Sequence, residues 1–520
     1  MVNAEERVNE YVSIVPNLNQ KRIQRERFNV FFHYGINTFT GKEWGDGKAD
    51  PKIFDPSEQD TDQWVKAVKD GGAYGVILTC KHHDGFCLWQ TKTTVYGVAS
   101  SPYKDGKGDV VREVSDSCRK YGLKFGIYLS PWDRNSETYG TDKYNDFYCA
   151  QLEELLTGYG EIFCVWLDGA CGSYMDGKPK QIYDWDRYFA TIRRLAPNAA
   201  ISNCGPDVRW VGNEGGIARE SEWNVVPKFA FNIQSIESKS QQSDDDNFAK
   251  KESDITLDDL GSREFLQNFD SFIWYPAEVD VSIRPGWFYH KAQDGSVRSL
   301  KNLLKIYYNS VGGNSILLLN IPPDKRGLLC EKDVERIKEL GQHIKSGERE
   351  EVKIKAIMAP KAEGENVIEG VLTEEYDGET YDAAAYYTPA KEEDRYEIQL
   401  TLDGVKKINR VKLVENVAFS QRIEKFEIYA NVGGKDKKVY DGTTVGYGRI
   451  ATFKAVNTDK VKIVLTSVRQ RPYIEFIGVY EDNGVVIRET SWQRFVKWVH
   501  HVNYKIYINR ENKKRKKLNK

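Results

Sequence analysis

The chain has 520 residues, 40% of them hydrophobic, and is far longer than one ordinary core requires, so two or more domains are expected. Lysine and arginine number 75 and aspartate and glutamate 77, and this near balance argues against attraction of the whole protein to nucleic acid or to an anionic membrane. No apolar run approaches the roughly 20 residues of a membrane span, and the first residues, MVNAEERVNEYV, are too polar for a signal peptide.

From residue 28 to about 322, short apolar runs alternate with amphipathic segments, which is the pattern of repeated βα units around a parallel sheet. The predicted strands are Asn29–Tyr34, Tyr74–Cys80, Lys124–Leu129, Ile162–Leu167, Ala199–Asn203, Phe272–Tyr275 and Ile316–Asn320, with at least one more strand not placed. Among the helices between them, Asp60 is positioned to cap one N-terminus and Gly122 to end another. Because no GxGxxG turn follows the first strand, seven or eight such units favour a (β/α)8-like barrel over a doubly wound sheet.

After residue 347 the pattern changes to period-two segments such as YEIQLTL, FEIYANV and KVKIVLTS, which predict a β-sandwich. We therefore divide the chain into a catalytic domain (1–346), a β-sandwich domain (347–482) and a C-terminal extension (483–520) with a solvated basic end. The polar and acidic stretch 227–270 is expected to be a loop between barrel strands.

The eight cysteines form no CxxC pair and no zinc-like spacing, so free and mostly buried thiols are expected.

Polar residues that close apolar strands are candidates for chemistry, because the reactive face of a barrel is built from the C-terminal ends of its strands. These residues are His33 in FFHYG, His82 and His83 in TCKHHDGF, Tyr128 in GIYLSPW and Asp168 in VWLDG. Trp166 shares a face with Asp168, since strand side chains alternate, and an aromatic wall beside a carboxylate suits a sugar. Asp168 taken alone is equally compatible with a simple turn, because Asp-Gly is a common turn dipeptide.

Metal binding is a second explanation of the histidines, since barrel mouths can hold zinc or paired metals. The spacing supports it weakly, because no HxH follows the first strand and no HExxH is present. Neither a GxSxG elbow nor a P-loop occurs, which argues against the simplest acyl-transfer and phosphoryl-transfer reactions.

Glycoside hydrolysis would require a second carboxyl group to protonate the leaving oxygen. The candidates are Glu214 in RWVGNEGG, Glu220 and Glu222 in ARESEW, and Glu278 in YPAEVD. Glycines flank Glu214, and Trp210 nearby could shield its carboxyl group and raise the pKa. A glycine-rich surface turn explains the same stretch equally well.

Six segments, taken in order, resemble the α-L-fucosidases of glycoside hydrolase family 29, which are retaining enzymes with a (β/α)8-like barrel followed by a β-sandwich. The segments are FFHYGINTFTGKEWGDG, TCKHHDGFCLW, GIYLSPWDRN, CVWLDGA, RWVGNEGG and SIRPGWFYH. The resemblance implies that Asp168 is the nucleophile that forms a covalent fucosyl-enzyme and that Glu214 is the general acid/base. The WVGNE context resembles the branch of the family that prefers α-1,3- or α-1,4-linked fucose, as in Lewis-type glycans.

The resemblance also implies a shell of residues that bind fucose: His33, Glu43, Trp44, His82, His83, Tyr128 and Trp166. Trp287 in RPGWF resembles an aromatic residue that packs near the C5 methyl group, and Arg284 is a candidate for the aglycone side. A methyl group is worth only about 1 to 3 kcal/mol, so hydroxyl contacts must supply much of the specificity. The resemblance implies no metal and no other cofactor for the reaction, while a structural calcium ion in the β-sandwich is left open.

The expected partners are fucosylated oligosaccharides or glycoconjugates, with no nucleic acid and no membrane insertion. Glycan degradation implies a periplasmic or secreted protein whose leader is absent from this sequence. Three alternatives stay open at this point: a fucosidase of broader linkage preference, a fucose-binding protein without turnover, and a metal-dependent amidohydrolase.

Overall fold

The structure is a computed structural model that describes residues 4–171, 179–231, 259–349, 351–364, 367–372 and 386–484. Within these ranges the strands are β1 (Phe28–Phe32), β2 (Gly75–Lys81), β3 (Lys124–Leu129), β4 (Cys164–Leu167), β5 (Ala200–Asn203), β6 (Val208–Trp210), β7 (Val225–Pro227), β8 (Phe272–Trp274), β9 (Ala277–Ser282), β10 (Ile316–Asn320), β11 (Ile354–Met358), β12 (Tyr396–Glu415), β13 (Ile423–Val432), β14 (Lys435–Gly442), β15 (Arg449–Val468) and β16 (Ile474–Glu481). The α-helices are α1 (Ala4–Ser13), α2 (Leu18–Arg25), α3 (Ile36–Thr40), α4 (Thr61–Asp70), α5 (Val110–Tyr121), α6 (Lys143–Gly158), α7 (Trp185–Leu195), α8 (Arg263–Leu266), α9 (Leu300–Ser310) and α10 (Glu331–Arg349).

Eight strands close into a barrel in the order β1, β10, β9, β6, β5, β4, β3 and β2, and β2 pairs again with β1. Neighbours around this ring are parallel throughout. Helices α4, α5, α6 and α7 alternate with β1 to β5 along the chain, and the buried apolar side chains of these strands and helices form one continuous core. The predicted (β/α)8-like barrel is confirmed.

Six of the seven predicted strands are barrel strands with ends within two residues of those observed. The seventh, Phe272–Tyr275, is a strand as predicted, but its expected place in the barrel is wrong, because this strand is β8, which pairs antiparallel with β7 outside the barrel. The barrel strand of this region is β9, whose buried residues include Glu278 and Asp280. These buried acids interrupt the continuous apolar pattern that marks the other barrel strands. The sequence pattern therefore favours the neighbouring apolar run, Phe272–Tyr275, over β9.

The connection from β5 to β6 contains no helix and consists of residues 204–207. The two strands are nevertheless parallel, with Ser202 opposite Val208. The Asp207 carboxylate accepts a hydrogen bond of 2.8 Å from the Ile201 amide and ties the short connection together. Because the usual helix is missing, the alternating pattern of strands and helices does not predict β6.

The predicted loop 227–270 is described in part. Residues 232–258 lie outside the described residues, and the remainder includes α8.

The local predictions on caps and cysteines are confirmed. Asp60 accepts a hydrogen bond from the Gln63 amide at the start of α4, and Gly122 ends α5 in the left-handed conformation, with φ 70°. All eight cysteines are buried and free.

In the ranges that the structure describes, no helix combines the length and the apolar character needed to cross a membrane.

The C-terminal strands form an antiparallel sheet in the order β11, β12, β15, β13 and β14, with β16 also paired to β12. The long strands β12 and β15 shift register at Thr401/Lys406, and side chains from both parts of the sheet enter one hydrophobic core. The β-sandwich predicted after the barrel is confirmed as a separate antiparallel β domain. Residues 485–520 of the predicted extension lie outside the described residues.

The C-terminal sheet packs against the barrel through the segment that follows β6. The Glu222 carbonyl oxygen accepts hydrogen bonds from Gln421 and Thr444, and the Asn224 amide donates to Gln421 at 2.9 Å. Arg449 donates to the Glu220 carbonyl at 2.8 Å. The sheet therefore braces the chain a few residues beyond Glu214.

Candidate active site

One cavity opens at the carboxyl ends of the barrel strands. Its lining residues are Phe31, His33, Trp44, His82, His83, Tyr128, Trp166, Asp168, Ala170, Asn203, Trp210, Glu214, Asp280 and Trp287. Nine of the eleven site residues predicted from the sequence are among them, and the two others, Glu43 and Arg284, are not. The cavity combines carboxyl groups, imidazoles and indole rings, which is a lining suited to a polyol with an apolar face.

Asp168 follows β4, and both of its carboxylate oxygens are oriented by the protein. Tyr128 donates its hydroxyl to Oδ2 at 3.1 Å, and the Ala170 amide donates to Oδ1 at 2.7 Å. His83 Nε2 lies 3.9 Å from Oδ2. The side chain is 19% exposed, so the carboxylate is fixed in position and still reachable from the cavity. Asp168 bonds a turn amide, as a simple turn residue would, and also faces the cavity.

Glu214 lies beyond β6 in a turn that is tightly held. The Asn213 side chain accepts hydrogen bonds from the amides of Gly215 and Ile217 and donates to the Ile217 carbonyl at 2.8 Å. Gly216 has a φ of 77°, a conformation that L side chains rarely adopt. The turn is therefore not free to bend, and it holds Glu214 at the cavity.

The two carboxyl groups have different environments. Burial raises the pKa of Glu214 well above its usual value, and the charges of Asp280 and Asp168 raise it further, against a hydrogen bond from Trp287 that lowers it. Glu214 Oε2 is buried and has no hydrogen-bond partner among the residues that the structure describes. A carboxylate held by donors beside a carboxyl group with a raised pKa is the kind of pair that glycosidases use.

A model of the family described as α-L-fucosidase matches residues 47–348. The Arabidopsis thaliana protein named α-L-fucosidase 1 is 37% identical over 478 residues, which are 90% of this chain and 88% of the relative. The chain belongs to the α-L-fucosidase family. It is accordingly a glycoside hydrolase, and fucosylated glycans are its class of substrate.

Solved structures support the same family for this fucosidase. A structure from Bacteroides ovatus that carries the name α-L-fucosidase is 42% identical with a TM-score of 0.79, and the match covers 94% of this chain and 78% of that one. A family 29 fucosidase of Ruminococcus gnavus, solved in complex with fucose, is 29% identical with a TM-score of 0.76, and the match covers 90% and 95% of the two chains.

The three histidines of the fucosidase cavity are neutral. Burial lowers the pKa of His33 to about 3 and that of His83 to about 4, and it also lowers the pKa of His82, well below the usual value. His33 Nδ1 lies 2.8 Å from Asn320 Oδ1, whose amide nitrogen donates to Ser282 and Trp287, so Nδ1 carries the hydrogen and Nε2 keeps its lone pair.

The tautomer of His83 follows in the same way. Its Nδ1 lies 2.8 Å from Ser130 Oγ, and the Ser130 hydroxyl donates to the Trp132 carbonyl, so Nδ1 is the donor and Nε2 the acceptor. His82 Nδ1 lies 3.4 Å from the Asn37 amide nitrogen, which assigns the hydrogen to His82 Nε2. The cavity therefore offers both acceptor and donor nitrogens to sugar hydroxyls.

Glu43 and Arg284 do not line the cavity, and both are held by buried polar contacts. Glu43 accepts a hydrogen bond of 2.7 Å from the Trp287 amide and contacts His290 Nε2 at 2.7 Å, so it fixes the loop that carries Trp287. A Cβ at Gly286 would lie 2.2 Å from Glu43 Oε1, which explains a glycine at this close approach. The Arg284 side chain is fully buried in ion pairs with Asp294 and Asp333.

The other carboxyl candidates of the fucosidase have different surroundings. Burial alone would raise the pKa of Glu222, but Arg209 and Arg219 lower it, so this buried group is an ion-pair partner. Glu278 accepts a hydrogen bond of 2.7 Å from Trp166 Nε1, and burial raises its pKa to about 8. Neither residue lines the cavity.

Asp280 is the main residue of the cavity that the sequence did not single out. It lies on β9 two residues after Glu278, and Trp210 Nε1 donates to its Oδ1 at 2.9 Å. Placing β9 correctly would have revealed it, because Glu278 and Asp280 are two residues apart on that strand and therefore point to the same face. Among the described residues, no group of three or more His, Cys, Asp or Glu side chains is arranged to hold a metal ion.

Proposed function

We propose that this fucosidase releases terminal α-1,3- or α-1,4-linked L-fucose by double displacement, with retention of configuration. The observation that carries the mechanism is the contrast within one cavity: Asp168 is oriented by Tyr128 and Ala170, whereas Glu214 is buried beside other acids. An oriented carboxylate is suited to attack, and a carboxyl group with a raised pKa is suited to give a proton.

In the first step, Asp168 attacks the anomeric carbon while Glu214 transfers its proton to the departing glycosidic oxygen, and a covalent β-fucosyl-enzyme forms. In the second step, Glu214 takes a proton from water as the water oxygen bonds to the anomeric carbon and the bond to Asp168 breaks. The product is α-fucose.

The neutral histidines and the indoles account for recognition of the sugar. Neutral nitrogens are acceptors or donors for hydroxyl groups and add no charge to the cavity. Trp166 is stacked on Tyr128 with ring centroids 5.3 Å apart, and Trp287 lies against His33 at 4.9 Å. These rings give the cavity an apolar wall for the C5 methyl group and the C–H faces of the sugar.

The linkage preference rests on the WVGNE sequence around Glu214, which resembles the branch of the family that acts on Lewis-type glycans. It is tested by measuring kcat/KM on matched oligosaccharides with α-1,2-, α-1,3- and α-1,4-linked fucose. Preference for the α-1,3 and α-1,4 linkages over α-1,2 by at least about tenfold, or 1.4 kcal/mol, is expected. Equal rates on all three would leave a fucosidase of broader preference.

The stereochemical course is tested separately by proton NMR of the first sugar released from an aryl α-fucoside. The α-anomer should appear first and then mutarotate. Initial release of β-fucose would show a single displacement and exclude the covalent mechanism.

A further inference from the structure

The cavity contains a third carboxyl group that the two-carboxyl mechanism does not use. Asp280 is 3% exposed, lines the cavity and faces it from β9, the strand next to β6. Trp210, the last residue of β6, donates its indole N–H to Asp280. Four residues after Trp210 the chain reaches Glu214, so one short segment joins the two acids to the same wall of the cavity.

The charged and titratable groups around Asp280 are mostly acids. Asp168 after β4 and Glu214 beyond β6 line the same cavity, Glu278 lies two residues before Asp280 on β9, and the charge of Glu43 also acts on Glu214. The imidazoles of His33, His82 and His83 are neutral and provide no positive charge. Three ionised carboxylates together in this buried space would repel one another strongly.

Protons relieve that repulsion. Burial raises the pKa of Asp280 to about 7, with Asp168 adding to the shift, and Asp280 is in turn the largest electrostatic contribution to the raised pKa of Glu214. Two carboxyl groups that interact in this way titrate as a pair, and the first proton to leave belongs to both.

We propose that Asp280 is a third functional carboxyl group of this site, which holds one proton jointly with Glu214 and thereby keeps Glu214 in the acid form at the start of each turnover. The proposal rests on the proposed role of Glu214. Asp280 forms no bond to the substrate's reacting atoms, and it acts through its charge.

The second step needs Asp280 more than the first. When Asp168 is esterified by the sugar, its negative charge is gone, and Asp280 is then the remaining acid next to Glu214 among the described residues that line the cavity. The repulsion between the two carboxylates favours transfer of a proton from water to Glu214 while the bond from the sugar to Asp168 breaks. One residue thus helps Glu214 to be an acid first and a base afterwards.

The test is the pH profile of kcat/KM for a fucosylated trisaccharide, measured for wild type and for Asp280→Asn. The amide keeps the size of the side chain and an oxygen acceptor for Trp210, but it removes the charge. The limb at which activity falls with rising pH should move to lower pH by about one unit, because Glu214 then loses its proton more easily. A limb that stays in place or moves to higher pH would overturn the proposal.

Two further variants separate charge from packing. Asp280→Glu keeps the charge and should leave the limb within about 0.3 units of wild type. Glu278→Gln is the matched control, since it removes a buried carboxyl group from the same strand that also bonds a tryptophan but does not line the cavity. A shift in Glu278→Gln as large as that in Asp280→Asn would show a general effect of buried charge and reject a specific pair.

A reciprocal measurement covers the case in which Asp280→Asn does not fold. Two coupled carboxyl groups lose their protons in two steps, and each step changes the surroundings of both groups. The indole N–H signal of Trp210, assigned with Trp210→Phe, should therefore shift in two titration steps in wild type and in one step in Glu214→Gln. A single step at the same pH in both proteins would overturn the proposal, and this readout is independent of whether fucose is released with retention or inversion.

Discussion

The two halves of the barrel are built differently and supply different chemistry. In the first half, β1 to β4, helices separate the strands, and the strand ends provide His33, His82, His83, Tyr128 and Asp168. In the second half, β5, β6, β9 and β10, the first connection lacks a helix and the next includes the β7–β8 pair. That half provides Glu214, Asp280 and Trp287. In the proposed mechanism, the nucleophile and the histidines that bind the sugar come from the regular half, and the groups that handle the proton come from the irregular half.

This division predicts that variants of the two halves respond differently to the leaving group. Loss of a group that attacks or orients the sugar should slow every substrate. Loss of a group that handles the proton should slow only substrates whose leaving group requires protonation, such as oligosaccharides, and spare activated aryl fucosides.

The largest effect is expected for Asp168→Ala. Removing a covalent nucleophile should reduce kcat on both substrate classes by on the order of 10⁶-fold. Azide should restore part of the activity on an aryl fucoside and give β-fucosyl azide, because it attacks once and inverts. Near-normal hydrolysis by this variant would refute the assignment.

Glu214→Ala should lose about 10²- to 10⁴-fold on oligosaccharides and far less on aryl fucosides with good leaving groups. Azide should here give α-fucosyl azide, because it attacks the β-fucosyl-enzyme on Asp168 and inverts a second time. The anomeric configuration of the azide product therefore distinguishes loss of the nucleophile from loss of the acid/base. Equal losses on both substrate classes would contradict the assignment of Glu214 as the acid.

Asn213→Ala removes three hydrogen bonds that hold the turn carrying Glu214. A displacement of about 1 Å in a catalytic group can cost about 10²-fold, so a loss of that size is expected on oligosaccharides, with aryl fucosides nearly unaffected. Parallel losses on both substrates would show that the turn also supports the nucleophile and would weaken the division between the halves.

Tyr128→Phe should have the smallest effect, about tenfold, since it removes one hydrogen bond to a charged group worth roughly 1.5 kcal/mol. Both substrate classes should be slowed alike, because Asp168 attacks in either case. A loss confined to oligosaccharides would place Tyr128 in the proton-handling set.

The sequence predicted the first half well because its signals are local. An apolar strand ends in a polar residue, a helix follows, and caps such as Asp60 and Gly122 mark the boundaries. Asp168 could therefore be located from the pattern alone, although assigning it a role required the resemblance to the fucosidase family.

The second half was predicted less well for a physical reason. Strand β6 has only three residues, which is too short for a recognisable strand pattern. Strand β9 carries two buried acids, so the apolar run of β8 was predicted in its place, and Asp280 was missed together with β9. The positions of Glu43 and Arg284 depend on partners far away in the sequence, such as Trp287 and Asp333, and no spacing rule reveals such contacts.

The central claim is tested most directly by trapping the enzyme with 2-deoxy-2-fluoro-α-L-fucosyl fluoride. The fluorine at C2 slows both steps, and the fluoride leaving group keeps the first step fast enough for the intermediate to accumulate. Mass spectrometry of the intact protein and of its peptides should find one fluorofucosyl group, attached to Asp168. Attachment to Glu214 or Asp280, or full turnover of the reagent with no labelled protein, would contradict the account.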